Sequence, residues 1–365
     1  MSRVLFISKP IAPPFTDGTR NLVRDLARAL GPEVAEVLSS RGTSLPGIRA
    51  RALYAANGPT HTLGRADALR LLAHLSLAPL PPLLHWFFTP SRTTARLPAA
   101  FARLRGRRTV WTLPSAPTTP LGPAEVIGVA RILVFSDETR ARLLSWGIPS
   151  TQVDVMPPWL EPLGPPSTER VAATRDALAP KGTLTLFCGD LGPGRGETLT
   201  LEAFAAARTK DDRLVIAARP KGAHAETARR ALVARIAALG LLDHVRMMDR
   251  VTDMPSLLAA ADLVVLPATI LDAKVDIPLV LLEALSLGRA VIVSEGAPPA
   301  MLARRGAAIA VPPRVEPLAE AMRALLQSAE ARERLGRTGR AVVERDHAAS
   351  VVARAHAALY DEVLR

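Results

Sequence analysis

Short apolar runs of β character alternate with longer runs whose apolar residues fall at helical spacing, and the pattern occurs twice, on either side of a proline-rich link. In the first half "RVLFISKP" reads as a strand. "RNLVRDLARAL" places Leu22, Val23, Leu26 and Leu30 on one helical face. "PLLHWFF", "RTVWTLP" and "ARILVFS" read as further strands. "DETRARLLSWG" reads as a helix capped by Ser136 or Asp137 and stopped by Gly147. "TQVDVMPP" closes this half, and "PPWLEPLGPPSTER" is the link. The second half restarts with the strand "TLTLFCGD" and continues strand by helix through "GAAIAVP", before the terminal helix "AASVVARAHAALYDEVL". Such alternation implies parallel sheets covered by helices on both faces. The expected class is α/β, with two doubly wound parallel-sheet (Rossmann-like) domains. Ligands of these sheets bind at the carboxyl ends of the strands, so chemistry is sought there.

Composition narrows the class further. The chain has 365 residues, 48% of them hydrophobic, enough for two cores. Its single cysteine, Cys188, excludes an intrachain disulfide and a cysteine-rich zinc site, and fits a reduced, intracellular setting. Cys188 itself reads as a small residue at a strand end. The seven histidines show no paired metal-ligand spacing. Arg3 and Lys9 interrupt the first apolar run, so no signal peptide is expected. The stretch from Leu69 to Phe88 carries Arg70, two histidines and three prolines, and so cannot form an uninterrupted spanning helix.

The net charge of +12 is uneven. Residues 1–178 hold 21 Lys and Arg against 12 Asp and Glu; the rest hold 25 against 22. Between Ala68 and Ala124 there are seven arginines and no carboxylate, and Arg103, Arg105, Arg107 and Arg108 crowd into "FARLRGRR". A patch of this kind attracts an anionic surface, whether lipid headgroups, a phosphorylated substrate or nucleic acid. The plainer reading is a solvated helix end. No nucleic-acid motif or aromatic interleaving accompanies it, so nucleic acid ranks last and is not an expected partner.

Four polar sets fall at strand–helix junctions. In "FCGDLGPGRGETLTLEAF", glycines at 189, 192, 194 and 196 lie between a strand and a helix starting near Glu197. A helix N-terminus with free N–H groups favours phosphate, and Arg195 adds a full charge and a donor fork. The loop lacks the Lys-Ser/Thr ending of the common nucleotide triphosphate loop and the dinucleotide spacing. In "KVDIPLVLLEALSLGRAVIVS", Lys274 and Asp276 precede Pro278, which suits a first helical turn. Glu283 then stands in a helix that is apolar on nearly every side. Such a helix is buried, so Glu283 faces either a narrow exposed stripe or a cleft, where a carboxylate can accept both hydrogen bonds of a ribose diol. Gly18, in "FTDGTRNLVRDL", holds the equivalent place in the first half, and "AARPKG" puts Arg219 and Lys221 beyond another strand. Loop turns and solvated charges are the plain alternatives for each.

Taken with their spacing, three segments resemble the retaining glycosyltransferases of family 4, of GT-B fold. "RVLFISKPIAPPFTDGTRNLVRDLARAL" is similar to their opening strand, glycine loop and helix. "ARILVFSDETRARLLSWGIPSTQVDVMPP" is similar to the end of their first domain, and "VRMMDRVTDMPSLLAAADLVVLPATILDAKVDIPLVLLEALSLGRAVIVSEGAPPAML" to their donor-site region. The resemblance implies an acceptor-binding domain over 1–165, a donor-binding domain over 166–345, a terminal helix over 346–365 that crosses back to the first domain, and an interdomain cleft. It implies catalytic roles for Arg195, Lys274, Asp276 and Glu283. Donor contacts are implied for Gly18, Gly189, Gly194, Gly196, Arg219, Lys221, Arg250, Val251, Ile277, Pro278, Leu279 and Glu283. Asp17 and Ser115 join the candidate acceptor site, and the charge patch of Arg103, Arg105, Arg107 and Arg108 is the candidate acceptor or membrane surface. Three positions depart from the family pattern. The first of its two glutamates falls on Val275, with Lys274 or Asp276 one position away as the substitute. Its phosphate-loop arginine falls on Asp190, and its first-domain histidine on Pro114.

The function implied is retaining transfer of a hexosyl group from a UDP-, GDP- or ADP-sugar to a glycan, lipid-linked or small-molecule acceptor, with no cofactor and no metal. A cytoplasmic protein, peripheral on the inner face of a membrane and engaged in polysaccharide synthesis, is the matching expectation. Two rivals stand beside it: a catalytically silent partner or activator on the same scaffold, and a nucleotide-sugar epimerase.

Overall fold

The computed structural model describes the chain apart from residues 1–2, 14, 16, 56–62, 162–163, 165, 220–224 and 272–274, and apart from the Arg219 side chain. Lys221 and Lys274, both expected near a ligand, lie outside the described residues. The chain divides into two compact units. Unit 1 comprises residues 1–161, 272–277 and 346–365; unit 2 comprises 162–271 and 278–345.

Unit 1 is built on seven strands: β1 (Val4–Ile11), β2 (Ala35–Ser40), β3 (Arg49–Tyr54), β4 (Leu83–Phe87), β5 (Arg108–Leu113), β6 (Arg131–Val134) and β7 (Val153–Val155). They lie in the order β3-β2-β1-β4-β5-β6-β7, every pair parallel. The chain starts mid-sheet at β1, runs outward to β3, returns to β4 and continues the other way. Val4 pairs with Ala35 on one side and Leu83 on the other. The central strands are buried on both faces, as a parallel sheet covered by helices requires.

β2 and β3 were not among the strands read from the sequence, and the reason is local. Glu36 breaks the apolar run of β2, and β3 alternates Arg49, Ala50, Arg51 and Ala52. The structure resolves the conflict by pairing the two charges. The Arg51 guanidinium donates to both Glu36 oxygens, at 3.0 and 3.1 Å, so a buried carboxylate becomes affordable in the sheet.

Helix Gly18–Leu30 buries Leu22, Val23 and Leu26, the face read from the sequence, and its N-cap Asp17 accepts from the Arg20 N–H. The terminal helix Ala349–Leu364 packs on it within unit 1. The union is partly polar. His85 Nδ1 lies 2.6 Å from the Tyr360 hydroxyl and His85 Nε2 lies 2.7 Å from Thr112 Oγ1, all inside an aromatic cluster with Phe6, Phe87 and His356. Burial holds His85 well below the usual imidazole range, with the neighbouring His356 adding to it, and burial lowers His356 to about 4. Both rings are therefore neutral at pH 7.

Unit 2 carries six parallel strands: β8 (Leu184–Asp190), β9 (Arg213–Arg219), β10 (Val245–Met248), β11 (Leu263–Leu266), β12 (Ala290–Ser294) and β13 (Ile309–Val311), in the order β10-β9-β8-β11-β12-β13. The direction of winding reverses between β8 and β11. No helix among the described residues is long and apolar enough to cross a membrane.

Candidate functional site

The reversal between β8 and β11 sends their two connections to opposite faces of the sheet, and the carboxyl ends at such a reversal are where doubly wound sheets take their ligands. The glycine loop fills that place. After β8 the chain turns through Gly192, Gly194 and Gly196 and enters helix Glu197–Ala207 with Gly196 as N-cap. Gly194 and Gly196 have φ of +70° and +95°, which side-chain-bearing residues rarely adopt. Space is equally restrictive. A Cβ on Gly196 would sit 2.9 Å from the Pro267 carbonyl carbon, and one on Gly194 would sit 2.7 Å from Ile270 Cδ1. The loop is clamped to the segment after β11. The Gly194 carbonyl accepts from the Thr269 and Ile270 N–H groups, and the Arg195 guanidinium donates to the Ile270 carbonyl at 2.8 Å. Arg195 is thus held at the carboxyl end of the sheet against the segment after β11. Glu197 is buried, with one oxygen accepting the Gly192 N–H at 2.7 Å and the other without a partner among the described residues. Burial pushes its carboxyl up against that hydrogen bond.

Glu283 lies in helix Leu279–Ser286, which follows β11, with Pro278 as N-cap. Leu281, Leu282, Ala284 and Leu285 are wholly buried, whereas Leu279, Val280, Glu283 and Ser286 are half-buried. These four share one helical face, so the glutamate sits on a narrow partly open stripe. Gly189 lies within β8 beside the loop. Arg250 and Val251 follow β10, the outermost strand, two strands away from β8, and Arg250 is exposed.

Asp276 stands elsewhere. Val275, Asp276 and Ile277 are buried in unit 1. The Asp276 carboxylate accepts from the Ser136 and Thr139 hydroxyls at 2.6 and 2.7 Å and from the Ala116 N–H at 3.1 Å, while its own N–H donates to the Pro114 carbonyl at 2.8 Å. Burial raises its pKa against the pull of those three donors. These contacts occupy both carboxylate oxygens, so the side chain anchors its own segment. Two of the three departures from the family pattern, Val275 and Pro114, meet here: the residue after Val275 is bonded to Pro114.

At the carboxyl ends of the unit 1 strands, Asp17 and Gly18 open the first helix beside β1. Lys9 donates to Asp17 at 2.8 Å. Burial opposes the Asp17 charge, but the hydrogen bond and charge of Lys9, with the Arg20 N–H, hold its pKa below the ordinary value. Ser115 is buried after β5, its hydroxyl 2.8 Å from that of Thr89. Beside it lies a hollow of about 210 Å³ whose lining includes Ser91, Arg92, Arg96, Thr119 and Glu125. Sequence reasoning did not single out this group. Its signal was present in the arginine-rich stretch, but the loops that gather it come from different strands. The Arg103–Arg108 cluster is at the other end of the sheet, where helix Leu97–Arg105 ends and β5 begins. It is therefore not gathered with Asp17 and Ser115.

Residues 182–328, which include the glycine loop and Glu283, match the family described as glycosyl transferases group 1. No curated protein matches the chain by sequence. Among solved structures, Anabaena Alr3699/HepE in complex with UDP and glucose is similar over 99% of this chain and 100% of its own, with a TM-score of 0.77 at 16% identity. Sucrose-phosphate synthase from Thermosynechococcus elongatus is similar over 99% of each chain, with a TM-score of 0.75 at 18% identity. WaaG, a glycosyltransferase involved in lipopolysaccharide biosynthesis, is similar over 99% of each chain, with a TM-score of 0.68 at 17% identity. The two parallel sheets have the GT-B fold, and residues 182–328 of this chain are a glycosyl transferases group 1 domain.

Proposed function

We propose that the protein is a retaining glycosyltransferase that moves a hexosyl group from a nucleoside diphosphate sugar to a glycan, lipid-linked or small-molecule acceptor. The observation that carries this reading is the glycine loop clamped at the β8/β11 reversal, with Arg195 at its lip and a helix N-terminus behind it. In this reading the diphosphate lies against the loop, and Glu283 accepts the ribose hydroxyls. Negative charge grows on the diphosphate as the sugar leaves through an oxocarbenium-like transition state. Arg195 and the N-terminal amides of helix Glu197–Ala207 are placed to stabilise that charge. The backbone of Pro278 and Leu279 approaches the sugar, while Asp276 acts as a positioning residue for the segment leading into it. The acceptor is assigned to unit 1, at the strand ends that carry Asp17, Ser115 and the hollow beside Arg92. Complexes of HepE with UDP and with UDP-glucose support a nucleotide-sugar donor.

Titration with UDP, GDP and ADP tests the donor site. Glu283→Ala is expected to weaken the bound nucleotide by roughly 10- to 100-fold, the worth of one charge-assisted hydrogen bond. Arg195→Ala should weaken the nucleoside diphosphate and spare the nucleoside. Unchanged nucleotide affinity in Glu283→Ala refutes the assignment.

A second reading, a catalytically silent nucleotide-binding protein, is favoured by one observation. Val275 carries no polar group, and the oxygens of Asp276 are already engaged. Release of free nucleotide from a nucleotide sugar only when acceptor is present supports transfer; binding without turnover supports the silent protein.

A further inference from the structure

The cluster Arg103, Arg107 and Arg108 lies at the amino-terminal edge of the unit 1 sheet, away from the strand ends assigned to ligand. Among the described residues no carboxylate pairs with any of the three, and the buried Arg107 Nε–H has no partner. They line a hollow of about 570 Å³ together with Gly106 and Gly128. The nearest arginine along the sheet edge, Arg131 on β6, is already held by Asp154 and Glu362. This hollow is therefore a concentration of positive charge without counter-charge.

Its rim is apolar. Eight large hydrophobic side chains are exposed among the described residues, and three of them fall here, Leu77, Leu104 and Ile127, with Leu69 and Leu72 further back along helix Arg65–Leu77. Contacts join them to the arginines. Arg105 donates to the carbonyls of Ser76 and Ala78, which flank Leu77, and so fixes the end of helix Arg65–Leu77 beside helix Leu97–Arg105. Leu77 is nevertheless 83% exposed and Leu104 68% exposed. Ile127 precedes Gly128, which packs on Ala102 and Arg103. Leucines that a neighbour braces and yet leaves in water, next to unpaired arginines, form a surface with two complementary demands. An anionic bilayer meets both, through its phosphates and its acyl boundary. A soluble anion meets only the first.

We propose that the face formed by helix Arg65–Leu77, helix Leu97–Arg105 and the turn at Ile127–Gly128 docks unit 1 onto an anionic lipid surface. The arginines bind headgroup phosphates while Leu77, Leu104 and Ile127 enter the interface. This inference does not depend on glycosyl transfer.

The full-length chain is mixed with vesicles of phosphatidylcholine alone or with phosphatidylglycerol in equal parts, and the bound fraction is measured by sedimentation. Binding is expected only to the mixed vesicles, and it should weaken as salt rises. Arg103→Gln/Arg107→Gln/Arg108→Gln should weaken it on the order of 100-fold. The exposed single changes Arg103→Gln and Arg108→Gln, which disturb no internal hydrogen bond, should each cost roughly fivefold. Leu77→Gln/Leu104→Gln/Ile127→Gln should remove the fraction that survives high salt, and Val233→Gln/Leu242→Gln in unit 2 should change nothing. Nucleotide titration and tryptophan emission of each variant establish that it is folded, and they keep this outcome separate from that of the donor site. Absence of binding to mixed vesicles, equal binding by the triple arginine variant, or displacement by inorganic phosphate as effective as by lipid overturns the proposal.

Discussion

Asp276 is 2% exposed, yet three donors converge on its carboxylate. Asp276→Ala leaves all three buried without a partner, at about 1–3 kcal/mol each before relief of the buried charge, so the net loss is expected to be about 3 kcal/mol. Asp276→Asn should cost less, because the Ser136 and Thr139 hydroxyls can rotate to accept from an amide. Chemical denaturation followed by tryptophan emission measures the difference; a wild-type midpoint for Asp276→Ala would show that the cluster is idle. Nothing in the sequence marked Asp276 as an anchor, because its partners lie some 140 and 160 residues away. Glu283 was more legible. A lone acid in an apolar helix leaves few positions open, and its half-buried stripe follows from the spacing of Leu279, Val280 and Ser286.

At the scale of elements, the helix that carries Glu283 is held by a close approach from behind. Helix Ala329–Val342 packs on helix Leu279–Ser286 through two glycines. A Cβ on Gly336 would lie 2.0 Å from the Gly288 carbonyl oxygen, while one on Gly339 would meet Leu285 Cδ2 at 2.5 Å. Helix propensity alone predicts that Gly→Ala stabilises by about 1 kcal/mol. At Gly336 the obstacle is backbone, which cannot step aside, and overpacking of about 1–3 kcal/mol should outweigh that gain. At Gly339 the nearest obstacle is a side-chain end, but Leu285 is fully buried and the Ala307 carbonyl oxygen would lie 3.1 Å away, so Gly339→Ala should also destabilise, though less than Gly336→Ala. Thermal melts of the two variants decide the order. The strands rich in apolar and β-branched residues, β4, β5, β8 and β11, were readable because burial on both faces favours such residues. β2 and β3 escaped because an ion pair, invisible in one dimension, does the work of apolar side chains at the sheet margin.

For the molecule as a whole, acid should separate the two units. The buried histidines among the described residues, His85, His347 and His356, all belong to unit 1. At pH 7 the rings of His85 and His356 are neutral in the folded chain and mostly neutral in the unfolded one. Below about 6.5 the unfolded chain takes up protons that the folded one refuses, so stability present above that pH is lost as pH falls toward 4. His356 alone should account for about 3 kcal/mol across the window. All four tryptophans, Trp86, Trp111, Trp146 and Trp159, lie in unit 1. The midpoint read by tryptophan emission should therefore fall between pH 7 and 5 while a share of the far-ultraviolet dichroism persists, and His356→Phe should flatten that slope. Coincident loss of both signals would show that the units unfold as one.

Unit 1 is discontinuous, and synthesis must respect that order. Its sheet leaves the ribosome early, but the segment that seats Asp276 and the helix that packs on helix Gly18–Leu30 emerge only after most or all of unit 2. Until then helix Gly18–Leu30 lacks the partner it packs against, so unit 1 should close its core only once the last helix has been made.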